Sequence, residues 1–153
     1  MKTSLNISLV SIGKLRGKPL KELSDDYSKR ISKYASFNQM EVAHQKLGKQ
    51  NKKTALAVEK AFSSASIRVA LDVKGKVTSS TDIGKILGNA ARSGGSISFI
   101  IGGPDGIPPE FDKLATKRIS LSLCTFPHEL FRIIFLEQLY RGLTIFCGVP
   151  YHR

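Results

Sequence analysis

The residues able to do chemistry in this 153-residue chain crowd into its last third. Ile101-Gly102-Gly103-Pro104-Asp105-Gly106 carries an apolar segment into a glycine turn, whose amides could cradle a ligand at the carboxyl end of a strand. It has no Gly-Lys-Ser/Thr and no GxGxxG, so neither a phosphate loop nor a dinucleotide fingerprint is present. Ser120-Leu121-Ser122-Leu123-Cys124-Thr125-Phe126-Pro127-His128 follows. As the end of the next strand in a parallel sheet it would lie beside the glycine turn, and two adjacent polar strand ends make a pocket. His128 stands at a helix start, which suits a neutral imidazole; it is read either as a proton acceptor or as a cap. Glu137 and Arg141 are spaced i, i+4, ordinarily a salt bridge of about 0.2–0.5 kcal/mol. Arg132 is read as solvated or as facing phosphate. The chain ends on Gly148-Val149-Pro150-Tyr151-His152-Arg153, a polar tail where chains are usually idle, and it matters only if folded back into a site. His128 and His152 with Asp105 could ligate a metal, but their spacing does not support one. Cys124 and Cys147 are isolated and read as reduced, packed thiols.

Strands alternating with helices must position these groups. Strands are expected over Leu5–Ile12, Phe37–Ala43, Ile67–Asp72, Ser96–Ile101 and Ile119–Leu123. Helices are expected from Pro19 to about Tyr34, from a Thr54 cap to Ala65, from Ser79 or Ser80 to Arg92, and from His128 to Phe146, with a short one at Pro108-Pro109. Lys74-Gly75-Lys76 reads as a turn, and Lys46 to Lys53 as a basic loop suited to phosphate. That alternation predicts an α/β layered fold with a largely parallel sheet. The last helix is apolar nearly all round, so it must be buried in a core or against a second subunit. In a chain this small the expectation is a homodimer interface.

Lys and Arg number 24 against 12 acidic residues, a formal charge of +12, which favours a polyanionic partner. The excess is uneven: residues 1–60 hold 13 basic and 5 acidic side chains, residues 61–153 hold 11 and 7. The basic first part reads as the electrostatic footprint and the rest as the place for chemistry. No apolar stretch approaches the ~20 residues of a membrane span, and the amino terminus lacks a signal-peptide pattern, so a cytoplasmic protein is expected.

In order and wording, the four carboxyl-terminal pieces resemble the SPOUT-class ribosomal RNA methyltransferases, and within them the small RlmH family. There an Ile-Gly-Gly-Pro-Glu/Asp-Gly turn precedes Ser-Leu-Ser…Thr-x-Pro-His, then Glu-x-Leu-Tyr-Arg and a terminal Pro-Tyr-His-Lys/Arg. The likeness spans the chain and is most specific in residues 99–153. It implies one SPOUT domain over residues 1–153: a layered sheet of five to six mostly parallel strands, helices on both faces, and a carboxyl-terminal trefoil knot, an exception to unthreaded topology. It implies S-adenosylmethionine as cofactor, with contacts on Leu71, Gly103, Ser122, Leu123, Cys124, Thr125, Phe126 and Pro127. It also implies a homodimer in which Tyr151, His152 and Arg153 of one subunit serve a cofactor held by the other.

The reaction so implied is methylation of N3 of a pseudouridine in 23S rRNA on the assembled ribosome, with no metal and no membrane. An imide nitrogen is mostly protonated at neutral pH, so this displacement needs alignment, a proton acceptor and fixed cations near the flanking carbonyls. His128 is the first choice of acceptor and His152 the second, while Arg153 and Arg141 would stabilise the charge. Two alternatives stand beside this reading. A non-catalytic ribosome- or RNA-binding module would need neither the turn nor the tail. A flavodoxin-like nucleotide hydrolase would need a phosphate-loop lysine and acidic metal ligands that the chain lacks.

Overall fold

A computed structural model describes residues 2–47 and 51–151. Gly48, Lys49 and Gln50 of the expected basic loop, and the site candidates His152 and Arg153, lie outside the described residues. Along the chain run β1 (Asn6–Ile12), α1 (Lys18–Ser32), β2 (Ser36–Val42), α2 (Lys52–Ser63), β3 (Ile67–Val77), α3 (Ser80–Arg92), β4 (Ser96–Ile101), α4 (Pro109–Asp112), β5 (Lys117–Ser120) and α5 (His128–Phe146). One five-stranded sheet has the order β2-β1-β4-β3-β5, with every neighbouring pair parallel. A trefoil knot is compatible with this order.

The strand sequences explain the layers. Ile97, Phe99 and Ile101 of β4 pack into one core with residues of α1, α3 and α5, while Ile100 faces the other with Val58 and Phe62 of α2 and Phe111 of α4. A strand apolar on both sides belongs in the middle of a parallel sheet. Ser79 caps α3 by accepting from the Asp82 amide at 3.1 Å. For α2 the cap is Asn51, whose side chain accepts from the Thr54 amide at 3.2 Å, rather than Thr54 itself. Asn is the better N-cap of the two.

Two strands depart from expectation. β3 does not stop at Asp72: it runs to Val77, and its pairing with β5 jumps so that Leu71 and Lys76 both face Ile119. Residues 72–75 are looped out between these two registers. The expected Lys74-Gly75-Lys76 turn is thus an interruption within a strand. Gly75 is required there, because a Cβ would stand 2.6–2.8 Å from the Ile119 backbone. β5 ends at Ser120, whose hydroxyl donates to the Ser122 carbonyl at 2.8 Å and pulls the chain out of the ladder, leaving Leu123 90% exposed.

The apolar α5 is consumed largely by its own chain. It packs against both α1 and α3, and Phe135, Leu136, Leu139 and Leu143 are fully buried. Only a half-covered stripe that includes Ile134, Gln138, Arg141 and Ile145 remains on its outer side, below the more open Leu130. No helix among the described residues is long and apolar enough to cross a membrane.

Candidate functional site

Because all strands are parallel, their carboxyl ends share one edge of the sheet, and there a cleft of ≈ 290 Å³ opens. This is near the lower end of the roughly 300–1,000 Å³ of ligand pockets. β3 contributes Leu71, Asp72 and Val73; the turn after β4 contributes Ile101, Gly102, Gly103 and Pro104; the segment after β5 contributes Leu121, Ser122, Cys124, Thr125 and Phe126; His128 and Phe131 close it from α5. The glycine turn and the Ser122 segment do meet, but not as adjacent strand ends. β3 lies between β4 and β5, which is why Asp72 and Val73 join the lining.

Gly102 sets the floor. A Cβ there would lie 2.4 Å from the Gly106 carbonyl carbon and 2.7 Å from the Ile107 nitrogen, so backbone passes directly over backbone. The turn closes through the Gly106 amide donating to the Gly103 carbonyl at 3.0 Å, with Gly106 at φ +81°. Ser122 Oγ accepts from the Cys124 amide at 2.9 Å and shapes the opposite lip. Mostly apolar walls with a polar rim suit a ligand that is part flat and apolar, part charged.

Of the residues expected from sequence, Leu71, Gly103, Ser122, Cys124, Thr125, Phe126 and His128 converge on this cleft. Leu123 is turned to solvent, and Pro127 serves as the N-cap of α5; neither lines it. Asp72, Val73, Ile101, Gly102, Pro104 and Phe131 line the cleft without having been singled out. Of these, Ile101, Gly102 and Pro104 carried a signal as members of the quoted glycine-turn motif, and Asp72, Val73 and Phe131 carried none. Asp105 pairs with His44 at 3.2 Å, and no cluster able to hold a metal is present among the described residues.

Arg141 and Tyr151 stand elsewhere. The Arg141 guanidinium donates to Glu137 Oε1 at 2.9 and 2.6 Å and lies 4.9 Å from the centre of the Tyr151 ring, which meets Tyr140 edge-on at 4.7 Å. The Tyr151 hydroxyl donates to the same Glu137 oxygen at 3.3 Å. Burial, then the Glu137 carboxylate, pushes the Tyr151 hydroxyl pKa up, so it remains a donor. Hydrogen bonding to Glu137 likewise holds the Arg141 pKa above its ordinary value. The expected Glu137–Arg141 salt bridge is therefore also a clamp on the tail. Glu137 is nine residues beyond His128 on α5, roughly 13 Å along the axis. Within one protomer these groups do not reach the cleft.

Arg132, expected in solvent or against phosphate, is instead 4% exposed. It donates to Glu41 Oε2 and to the Gly13 carbonyl, each at 2.5 Å, fixing the end of β1 behind His128. Burial raises the Glu41 pKa, but hydrogen bonds from Arg132 and the Leu15 amide outweigh it, and the net shift is downward. The folded state then binds fewer protons than the unfolded chain, so this contribution is complete above the ordinary carboxylate range and disappears as pH falls through the lowered pKa. The thermal-stability advantage of the native protein over Glu41→Gln should therefore shrink between about pH 6 and about pH 3. A gap that stayed constant across that range would show the pair contributes no pH-dependent stability.

Comparison with known proteins agrees with this architecture. The family described as "Predicted SPOUT methyltransferase" matches residues 5–152. A protein of Clostridium botulinum (strain Kyoto / Type A2) named ribosomal RNA large subunit methyltransferase H is 40% identical over 159 aligned residues, covering 97% of this chain and 100% of that one. A Clostridium kluyveri protein of the same name matches with the same identity and coverage. Among solved structures, a probable methyltransferase from Bordetella pertussis Tohama I superimposes with a TM-score of 0.55. That match covers 92% of this chain and 95% of the other at 11% identity, a likeness of fold alone. With the family match spanning nearly its whole length, the chain belongs to the SPOUT methyltransferase family.

Proposed function

We propose that the protein transfers a methyl group from S-adenosylmethionine to N3 of a pseudouridine in 23S rRNA of the assembled ribosome. One observation carries this reading: the glycine turn and the Ser122–His128 segment, well separated in sequence, surround a single cleft. The name borne by the relatives at 40% identity supports the substrate class, and the charge of +12 suits RNA.

The residues fit such a cofactor. Leu71, Ile101, Phe126 and Phe131 offer apolar walls for a purine, Gly102 and Gly103 present backbone rather than side chain, and Asp72 and Ser122 supply polar groups at the rim. When bound, the cofactor supplies an electrophilic methyl group. The chain's own residues then hold the donor against the β3, β4 and β5 ends and exclude water. His128 takes the imide proton, with His152 the alternative acceptor. Arg153 and Arg141 stabilise the charge left on the base.

Because Arg141 and Tyr151 are remote from the cleft of their own chain, the tail acts on the cleft of a second copy. The homodimer meets through the outer stripe of α5 around Leu130, Ile134 and Ile145. Two backbone-on-backbone passes, at Gly75 and Gly102, suit a chain tied tightly into a knot. The substrate places the protein in the cytoplasm.

The test is transfer of a labelled methyl group to ribosomes that lack the modification, with the labelled nucleotide located by mass. One methyl on a large-subunit pseudouridine is expected. Cofactor binding without transfer would mean another substrate; neither binding nor transfer would leave an RNA-binding module.

A further inference from the structure

His128 borders two hollows at once. One is the cleft described above; the other, ≈ 610 Å³, lies on its far side, between the end of β1, the start of α1 and the segment after β2. Pro104 is the second residue common to both. Around the second hollow stand Lys14, Arg16, Lys21 and His44, all exposed.

The charges here are not balanced. Three carboxylates near this hollow are already engaged. Glu41 holds Arg132, Asp105 holds His44, and Glu129 accepts the backbone amide of Arg16 at 2.5 Å. In contrast, among the described residues no carboxylate lies within 4 Å of the charged atoms of Lys14, Arg16 or Lys21. Three free cations thus converge on a groove whose inner wall is the imidazole facing the cleft.

We infer that this groove receives the phosphate backbone of the RNA strand, so that the target base passes His128 toward the cleft while the phosphates beside it rest on Lys14, Arg16 and Lys21. The inference rests on the methyltransferase reading and adds the side from which substrate arrives. Lysine and arginine side chains with no internal partner suit phosphate: they lose no ion pair on binding, and each contact releases condensed counterions.

The test is the triple variant Lys14→Ala/Arg16→Ala/Lys21→Ala, compared with Lys60→Ala/Lys85→Ala/Lys117→Ala, which removes equal charge from exposed sites that do not border the groove. Ribosome affinity is read across a salt series, together with KM, kcat and cofactor affinity. For the groove variant we expect at least about tenfold weaker ribosome binding and a log–log salt slope flattened by about two units. Its kcat and cofactor affinity should stay within about twofold of the native values. The charge-keeping variant Lys14→Arg/Arg16→Lys/Lys21→Arg should restore most of the binding and guards against a folding defect. Equal losses in the two alanine triples, or an unchanged salt slope, would overturn the groove assignment while leaving the methyltransferase reading intact. Failure of the native protein to modify ribosomes would remove that reading itself.

Discussion

Replacing His128 with Ala should lower methyl transfer to ribosomes by at least about tenfold, and by up to the roughly 10²–10⁴ that a positioned general base contributes. Cofactor affinity should change by less than about threefold, because His128 is one wall of a cleft otherwise built from strand ends and loops. His128→Gln separates proton transfer from packing: it keeps bulk and a hydrogen-bonding group but cannot take the proton. If His128 merely packs or caps, the Gln variant should retain the native rate. If it accepts the proton, both variants should be slow, and their deficit should narrow as pH rises toward the ionisation of the imide itself. A deficit that stayed the same at every pH would assign His128 a structural role.

The second large effect tests the proposed sharing of the site between two subunits. Gly102→Ala should abolish cofactor binding, since its Cβ would be forced to within 2.4 Å of the Gly106 carbonyl carbon. Neither backbone segment can yield cheaply, and the overpacking should cost about 3 kcal/mol of stability. A chain ending at Pro150 keeps the cleft but loses Tyr151, His152 and Arg153. Each variant alone should be nearly inactive. Mixed and allowed to exchange subunits, they should recover roughly a quarter of native activity, because half the dimers are hybrids and each hybrid has one complete site of two. His128→Ala can replace Gly102→Ala as the cleft-defective member if the latter folds poorly. No recovery in hybrids that have demonstrably formed would place the tail's action within its own subunit, contrary to the separation of about 13 Å along α5.

Much of this was legible along the chain because it is local. The apolar alternation of β1, the mostly apolar β4, the Ser79 cap and the whole span of α5 follow from neighbours a few residues apart. Of the site residues legible from the wording of the last third, Gly103, Ser122, Cys124, Thr125, Phe126 and His128 converge on one cleft, whereas Leu123 and Pro127 do not line it and Arg141 and Tyr151 stand elsewhere. What was not legible depends on distant partners. Nothing near Lys74-Gly75-Lys76 announces that β3 resumes beyond the interruption, because its partner is Ile119. Arg132 reads as a surface cation until Glu41, 91 residues earlier, is brought beside it. The glycine turn and the Ser122 segment were expected to be adjacent, but sequence order is not sheet order, and β3 occupies the place between their strands. The apolar α5 was read mainly as an interface, whereas most of that surface is spent on its own sheet, as in the contact of Phe135 with Phe99 at 4.9 Å.

The order of the elements has a consequence for biosynthesis, because α5 follows every strand that it covers. Leu9, Val69 and Phe99 belong to the core that this last helix covers. While it is still inside the exit tunnel, the emerged part of the nascent chain has one face of its sheet without its lid. Folding from the amino terminus therefore cannot complete this core until α5 has emerged. A chain cut short upstream of His128 would leave that apolar face exposed to chaperones and proteases.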